Sequence, residues 1–152
     1  MTFDFEERRG NLFDYISPSD CLAVCVSEDL RLQKGIAAVF RQRFGGIHQL
    51  QAQKKSVGQV AHLAIQKRHV FYLITRAKVY NKSSYADLEA CMIELRNSCE
   101  SLGVWSLVLP RELGAGLDGL QEKHIKDILF KAFHGWGGKM VMYDDGCTDT
   151  VD

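Results

Sequence analysis

Short, fully apolar runs alternate along this chain with helical stripes, and that alternation restricts the fold more than any other feature. The run Cys21-Leu22-Ala23-Val24-Cys25-Val26 has no polar position. A strand with one wet face would alternate in polarity, so this one is predicted to be covered on both faces. Val104-Trp105-Ser106-Leu107-Val108-Leu109 reads as another buried strand, and Met140 to Tyr143 as a closing one. Ile36, Val39, Phe40 and Phe44 mark a helix that Gly45-Gly46 breaks. Tyr85, Leu88, Met92, Leu95, Cys99 and Leu102 hold one face of a longer helix. Ser84 with Asp87 approximates a capping box there, and Gly103 takes the C′ position. Ile125, Ile128, Leu129, Ala132 and Phe133 mark a third helix. Val60 to Ile65 and Val70 to Thr75, joined by Gln66 to His69, read as a hairpin. The pattern predicts an α/β domain with a mainly parallel sheet, made mixed by the hairpin.

The 152 residues suit one domain. Apolar residues make up 46% and charged residues 25%, which excludes disorder along the whole chain. Nineteen Lys and Arg balance nineteen Asp and Glu. A formal charge of zero argues against wholesale electrostatic capture of DNA or of an acidic membrane, and leaves room for a small basic site. The N-terminus, MTFDFEERRG, has no apolar run after a basic start, so it does not read as a signal peptide. No stretch approaches the ~18 apolar residues of a membrane span.

Five cysteines, Cys21, Cys25, Cys91, Cys99 and Cys147, include no CxxC pair. Cys21 and Cys25, four apart on a strand, would have Cα atoms ~13 Å apart, too far for a disulfide. Reduced thiols point to a cytoplasmic or nuclear protein. His48, His62, His69, His124 and His134 lack metal-ligand spacing and are expected in structural roles, so neither a metal nor a cofactor is predicted.

Ligands of open α/β sheets bind at the carboxyl ends of the strands, which directs attention to three loops. After the first apolar strand, Gly35 opens a helix, where free N–H groups receive an anion or the glycine simply makes a tight turn. After Leu109 comes Gly114-Ala115-Gly116-Leu117-Asp118. Two glycines one apart can form an N–H nest for a diphosphate, or only a plain loop. Asp118 beside such a nest reads as a proton-transfer group or as a helix cap. After Ile74 comes Thr75-Arg76-Ala77-Lys78. If the strand continues, Arg76 and Lys78 share a face and can serve a diphosphate; otherwise they are a solvated strand end.

Together the loops resemble a known family. Gly10-Asn11-Leu12-Phe13, Ser27-Glu28-Asp29, Gly35-Ile36-Ala37, Phe44-Gly45-Gly46, Tyr72-Leu73-Ile74-Thr75, Tyr85 with Leu88, and Gly114-Ala115-Gly116-Leu117-Asp118 stand in the order found in macrodomains of the terminal ADP-ribose protein glycohydrolase type. The resemblance covers roughly residues 5–143. It implies a three-layer α/β/α sandwich with a central mixed sheet and a single macrodomain over residues 1–143, while the residues 144–152 themselves read as an acidic, flexible tail. It sets Asn11 and Leu12 near adenine and Tyr143 at the adenosine end. Gly35, Ile36, Ala37, Thr75, Gly114, Ala115, Gly116 and Leu117 are the further ligand-binding residues it implies.

In that subfamily a lysine just after the Leu-Ile-Thr strand attacks the anomeric carbon of the distal ribose, and the aspartate of Gly-Leu-Asp assists release. Asp118 matches the aspartate, but Arg76 stands where the lysine would be. An arginine stays charged, so no covalent adduct is expected at that position. Lys78 lies ~6.6 Å further along an extended chain, a large offset for catalysis. Gln33-Lys34-Gly35 replaces a Gly-Ala-Gly of the subfamily, and Glu112 reads as a one-residue insertion.

Two functions stay open, and a third, a nucleic-acid-associated module, is disfavoured by the zero net charge. One is hydrolysis of ADP-ribose linkages on proteins, nucleic acid or acyl esters, with Asp118, Ser27 and Arg76 as the catalytic candidates and activity weak or altered. The other is a non-catalytic reader of ADP-ribose modifications. Partners are then ADP-ribose or its protein or nucleic-acid conjugates, with no membrane and a monomeric chain.

Overall fold

The computed structural model describes residues 3–111 and 120–144. The element order is β1 (Asp4–Arg9), a 3-10 turn (Leu12–Asp14), β2 (Cys21–Ser27), α1 (Gly35–Phe44), α2 (Ile47–Ala52), β3 (Val60–Ile65), β4 (Arg68–Arg76), α3 (Tyr85–Leu102), β5 (Ser106–Pro110), α4 (Glu122–Ala132) and β6 (Lys139–Asp144). The strands form one six-stranded sheet in the order β1-β6-β5-β2-β4-β3. Every pairing is parallel except the β3–β4 hairpin. The mixed sheet follows the apolar-run pattern.

Side-chain alternation divides the core between the two faces. Cys21, Ala23 and Cys25 of β2 join Leu88, Met92 and Leu95 of α3 and Leu129 of α4. Leu22, Val24 and Val26 turn the other way, toward Phe40 of α1, Leu50 of α2 and Leu12 of the 3-10 turn. Every residue of β2 is buried, as expected of a central strand covered on both faces. The result is a three-layer α/β/α sandwich.

The α3 boundaries match the sequence signals. Ser84 caps the helix by accepting from the Asp87 N–H, and Gly103 ends it at φ 70°. Cys21, Cys25, Cys91 and Cys99 are buried free thiols, while Cys147 lies outside the described residues. Burial raises the Cys91 and Cys99 thiols to about 12, so both stay protonated and inert at neutral pH.

Two elements were not legible. β1 is a polar edge strand, with burial only at Phe5 and Glu6 and none complete, so it carries no apolar run. The Gly45-Gly46 pair does break α1, but α2 starts directly after it. β6 also extends to Asp144, whose carbonyl accepts from the Gly10 N–H at 2.9 Å.

Candidate functional site

The C-terminal ends of β2 and β4 meet at an irregularity. Val26 pairs with Ile74, but the next residue, Ser27, pairs with Arg76, so β4 contributes one residue, Thr75, with no counterpart. Such a bulge re-aims side chains at a strand end. Here it aligns Ser27 with Arg76 at the mouth of a cleft of about 300 Å³. The walls come from the β2–α1 loop, the start of α1, the end of β4 and the turn after it. Lining residues include Ser27, Asp29, Lys34, Ala37, Arg76 and Lys78.

Ser27 is buried, and its Oγ donates to Asp29 Oδ1 at 2.8 Å. The same carboxylate oxygen accepts from the Arg31 N–H at 3.3 Å, an Asx-type turn that fixes the loop. Asp29 thereby accepts the serine hydroxyl hydrogen, which leaves the Ser27 oxygen to act as an acceptor for other groups. Arg76 is 5% exposed, so a permanent cation forms part of the cleft wall. The α1 N-terminus opens onto the same space. Lys34 is its N-cap and makes no side-chain cap bond, so the first-turn N–H groups are not satisfied by that side chain. Gly35 follows at φ 60°, in the left-handed region that favours glycine.

One expectation needs correction. β4 stops at Arg76, so Lys78 does not share its strand face. Lys78 instead opens a turn, its N–H donating to Asn81 Oδ1 at 3.0 Å, and it reaches the cleft wall from there. Thr75, expected at the ligand, is fully buried and its Oγ1 accepts from Ser83 Oγ at 2.8 Å. Its side chain ties β4 to the segment before α3 rather than facing the cleft. Ala37 lines the cleft wall, whereas Gly35 and Ile36 stand beside it on α1.

Asn11, Leu12 and Tyr143 are not among the residues that line this cleft; Asn11 and Leu12 follow β1, and Tyr143 stands near the end of β6. Asn11 Oδ1 accepts from the Phe13 N–H at 3.0 Å, and Leu12 is buried in the core. Tyr143 receives a hydrogen bond from Arg8 Nη1 at 3.1 Å and is covered by Tyr15, stacked at 5.6 Å between ring centroids with an interplanar angle of 4°. From β4 to β6 is three strand spacings, roughly 14 Å. Gly114, Ala115, Gly116, Leu117 and Asp118, with Glu112, lie outside the described residues. Among the described residues no cluster of three His, Cys, Asp or Glu could hold a metal, and no helix is long and apolar enough to cross a membrane.

Sequence reasoning assigned no role to Asp29, Arg31 or Tyr80. The Ser27-x-Asp29 spacing was the available signal for the first, since two residues apart a hydroxyl and a carboxylate can pair across a tight turn.

No family model matches the chain. Among curated proteins, ADP-ribose glycohydrolase OARD1 of Homo sapiens is 36% identical over 135 residues, covering 89% of this chain and 88% of the relative. This chain belongs to the ADP-ribose glycohydrolase family of macrodomains. The solved structures agree on the fold. The macrodomain of Thermus aquaticus DarG superposes with a TM-score of 0.77 at 24% identity, covering 93% of this chain and 97% of that one. Thermosipho africanus DarTG in complex with ADP-ribose gives a TM-score of 0.71 at 16% identity, covering 90% of this chain and 40% of that one. In this macrodomain the cleft therefore stands at the carboxyl edge of the sheet, with Arg76 where the family resemblance implies a lysine.

Proposed function

We propose that this macrodomain binds ADP-ribose and hydrolyses ADP-ribose linkages by direct attack of water, without a covalent enzyme adduct. The observation that carries the reading is Arg76, a buried cation aligned with Ser27 at the cleft mouth. A guanidinium cannot lose its proton to become a nucleophile. It can hold the negative charge that develops on a departing carboxylate. Family membership supports ADP-ribose as the ligand, as does the relative's description as an ADP-ribose glycohydrolase.

In this reading the diphosphate lies against the α1 N-terminus, with Lys34 beside it, and Ser27 accepts a hydrogen bond from the distal ribose. Water adds to the anomeric carbon as the bond to the carrier's oxygen breaks. The bond's electron pair leaves with that oxygen, beside Arg76, and Asp118 takes the proton of the water. The adenosine end runs toward Tyr143 and Asn11. The carrier can be a protein, a nucleic acid or an acyl group.

A second reading is favoured by the same residue: with Arg76 in place of the lysine that the resemblance implies, the cleft reads ADP-ribose without turnover. A single-turnover assay on a glutamate-linked ADP-ribosyl peptide separates the two. Release of free ADP-ribose with no borohydride-trappable adduct supports water attack. Binding by calorimetry without release supports the reader. Absence of binding at millimolar ADP-ribose removes both.

A further inference from the structure

Two histidines without ligand spacing in the sequence meet on the hairpin. His62 of β3 lies opposite Phe71 of β4, and Ala64 lies opposite His69. Phe71 belongs to the core face that carries α3. His62 and His69 are therefore diagonal neighbours on that face, within reach of one another's side chains. His62 Nε2 comes to 2.9 Å from His69 Nδ1. The pair stands at the outer edge of the sheet, since β3 is the last strand, and neither residue lines the cleft.

Neighbouring groups hold both rings in place. Each stacks on Phe71, His62 at 5.5 Å between centroids and His69 at 6.2 Å, with interplanar angles of 21° and 25°. The His62 N–H donates to Gln53 Oε1 at 3.0 Å, and its carbonyl accepts from Gln53 Nε2 at 2.7 Å. The His69 N–H donates to Cys21 Sγ at 3.4 Å. Both histidines are only half-buried, and Ala64 beside them is small and exposed. Arg68, next to His69 in the chain, turns to the opposite face, its guanidinium over the Phe44 ring. Burial first, and His69 second, hold the His62 pKa below its ordinary value of 6.5. The ring is then neutral at pH 7.5, as a metal ligand must be.

We propose that His62 Nε2 and His69 Nδ1 chelate a divalent transition-metal ion of tetragonal preference, Ni2+ or Cu2+, at the β3–β4 edge. The separation of the two nitrogens selects the geometry. Imidazole nitrogens stand about 2.0–2.1 Å from such ions, so nitrogens 2.9 Å apart subtend about 90° at the metal. That is the angle between adjacent positions of a square-planar or octahedral ion. A tetrahedral ion such as Zn2+ needs its nitrogens about 3.4 Å apart. On binding, each ring turns so that its lone pair aims at the ion. The hydrogen between the rings moves to an outer ring nitrogen, so the neutral pair releases no net proton. Among the described residues no third His, Cys, Asp or Glu joins the pair, which leaves the other positions to water. A pair with only a structural role would bind metal no better than a single histidine does.

Calorimetry and NMR with NiCl2 on the untagged full chain at pH 7.5 test the proposal. One Ni2+ should bind per chain, more tightly than Zn2+ does. Sub-stoichiometric Ni2+ should broaden the His62 and His69 ring resonances before those of His48, His124 and His134. His62→Gln and His69→Gln should each weaken Ni2+ binding by about tenfold or more, because even an outer partner of a metal ligand is worth roughly 10–100-fold. Both should keep the parent's ADP-ribose affinity, since neither residue lines the cleft. His48→Gln, at an exposed position of α2, should bind Ni2+ as the parent does. Four results would each overturn the proposal: no binding at millimolar Ni2+, tighter binding of Zn2+ than of Ni2+, broadening of another histidine first, or equal losses in the His62 and His48 variants. The broadening is read on the parent chain, so the test stands even where a substitution unfolds the protein.

Discussion

Ser27 and Arg76 are partners in the β2–β4 register only because Thr75 is passed over between them. That single extra residue sets a hydroxyl and a permanent cation at the same cleft mouth. It also defines what a lysine at position 76 would meet. Arg76→Lys places an amine that can deprotonate beside Ser27, so turnover of a glutamate-linked substrate should rise by about tenfold or more, ~1.4 kcal/mol off the barrier. Borohydride should then trap an adduct absent from the parent. An unchanged rate would mean that position 76 alone does not separate this chain from a covalent hydrolase.

The Ser27–Asp29 hydrogen bond predicts a separable effect on binding. Ser27→Ala removes the hydroxyl but leaves Asp29 held by the Arg31 N–H. The loop should keep its shape, and thermal stability should change little. Loss of one ligand hydrogen bond of about 1–1.5 kcal/mol predicts roughly 5- to 12-fold weaker ADP-ribose binding by calorimetry. Equal affinity in the variant would remove Ser27 from the ligand contacts.

What was legible in the sequence follows from where the physics is local. Apolar runs in β2, β5 and β6 specify buried strands by composition alone, and Ser84 and Gly103 mark the ends of α3 by backbone chemistry. β1 was not legible, because an edge strand gets its stability from pairing with β6 and its six residues carry no apolar pattern. The bulge at Thr75 left no trace either. Strict alternation assigned Lys78 to the Arg76 face, whereas the strand ends first. Residues 31–82 hold eleven Lys and Arg and no Asp or Glu, a segregation that the total of 19 against 19 hid. Only the strand order shows that the acid-free segment forms one edge of the sheet.

Gly46 gives a stability prediction. It has φ 74°, and a Cβ there would lie 2.7 Å from Leu63 Cδ1 and 2.8 Å from Cδ2. Gly46→Ala therefore combines left-handed backbone strain of about 1–2 kcal/mol with overpacking of about 1–3 kcal/mol. Urea unfolding should show a loss of about 2 kcal/mol or more. A loss below about 0.5 kcal/mol would mean that Leu63 and the α1–α2 junction relax freely.

The His62 and His69 rings give a pH dependence. His62 Nε2 and His69 Nδ1 are 2.9 Å apart, so one nitrogen donates and the other accepts, and only one proton fits between them. His62 also stacks on Phe71. Burial first, and the neighbouring His69 second, hold the His62 pKa below its ordinary value of 6.5. The unfolded chain then binds a proton that the folded chain resists. Its stabilising contribution is complete above the unfolded value of about 6.5 and is lost as pH falls below it, until the folded chain also takes the proton. Urea midpoints should fall between pH 7.5 and pH 5.5, and His62→Gln should make that fall shallower. If the variant keeps the parent's full pH slope, the destabilising proton binds elsewhere.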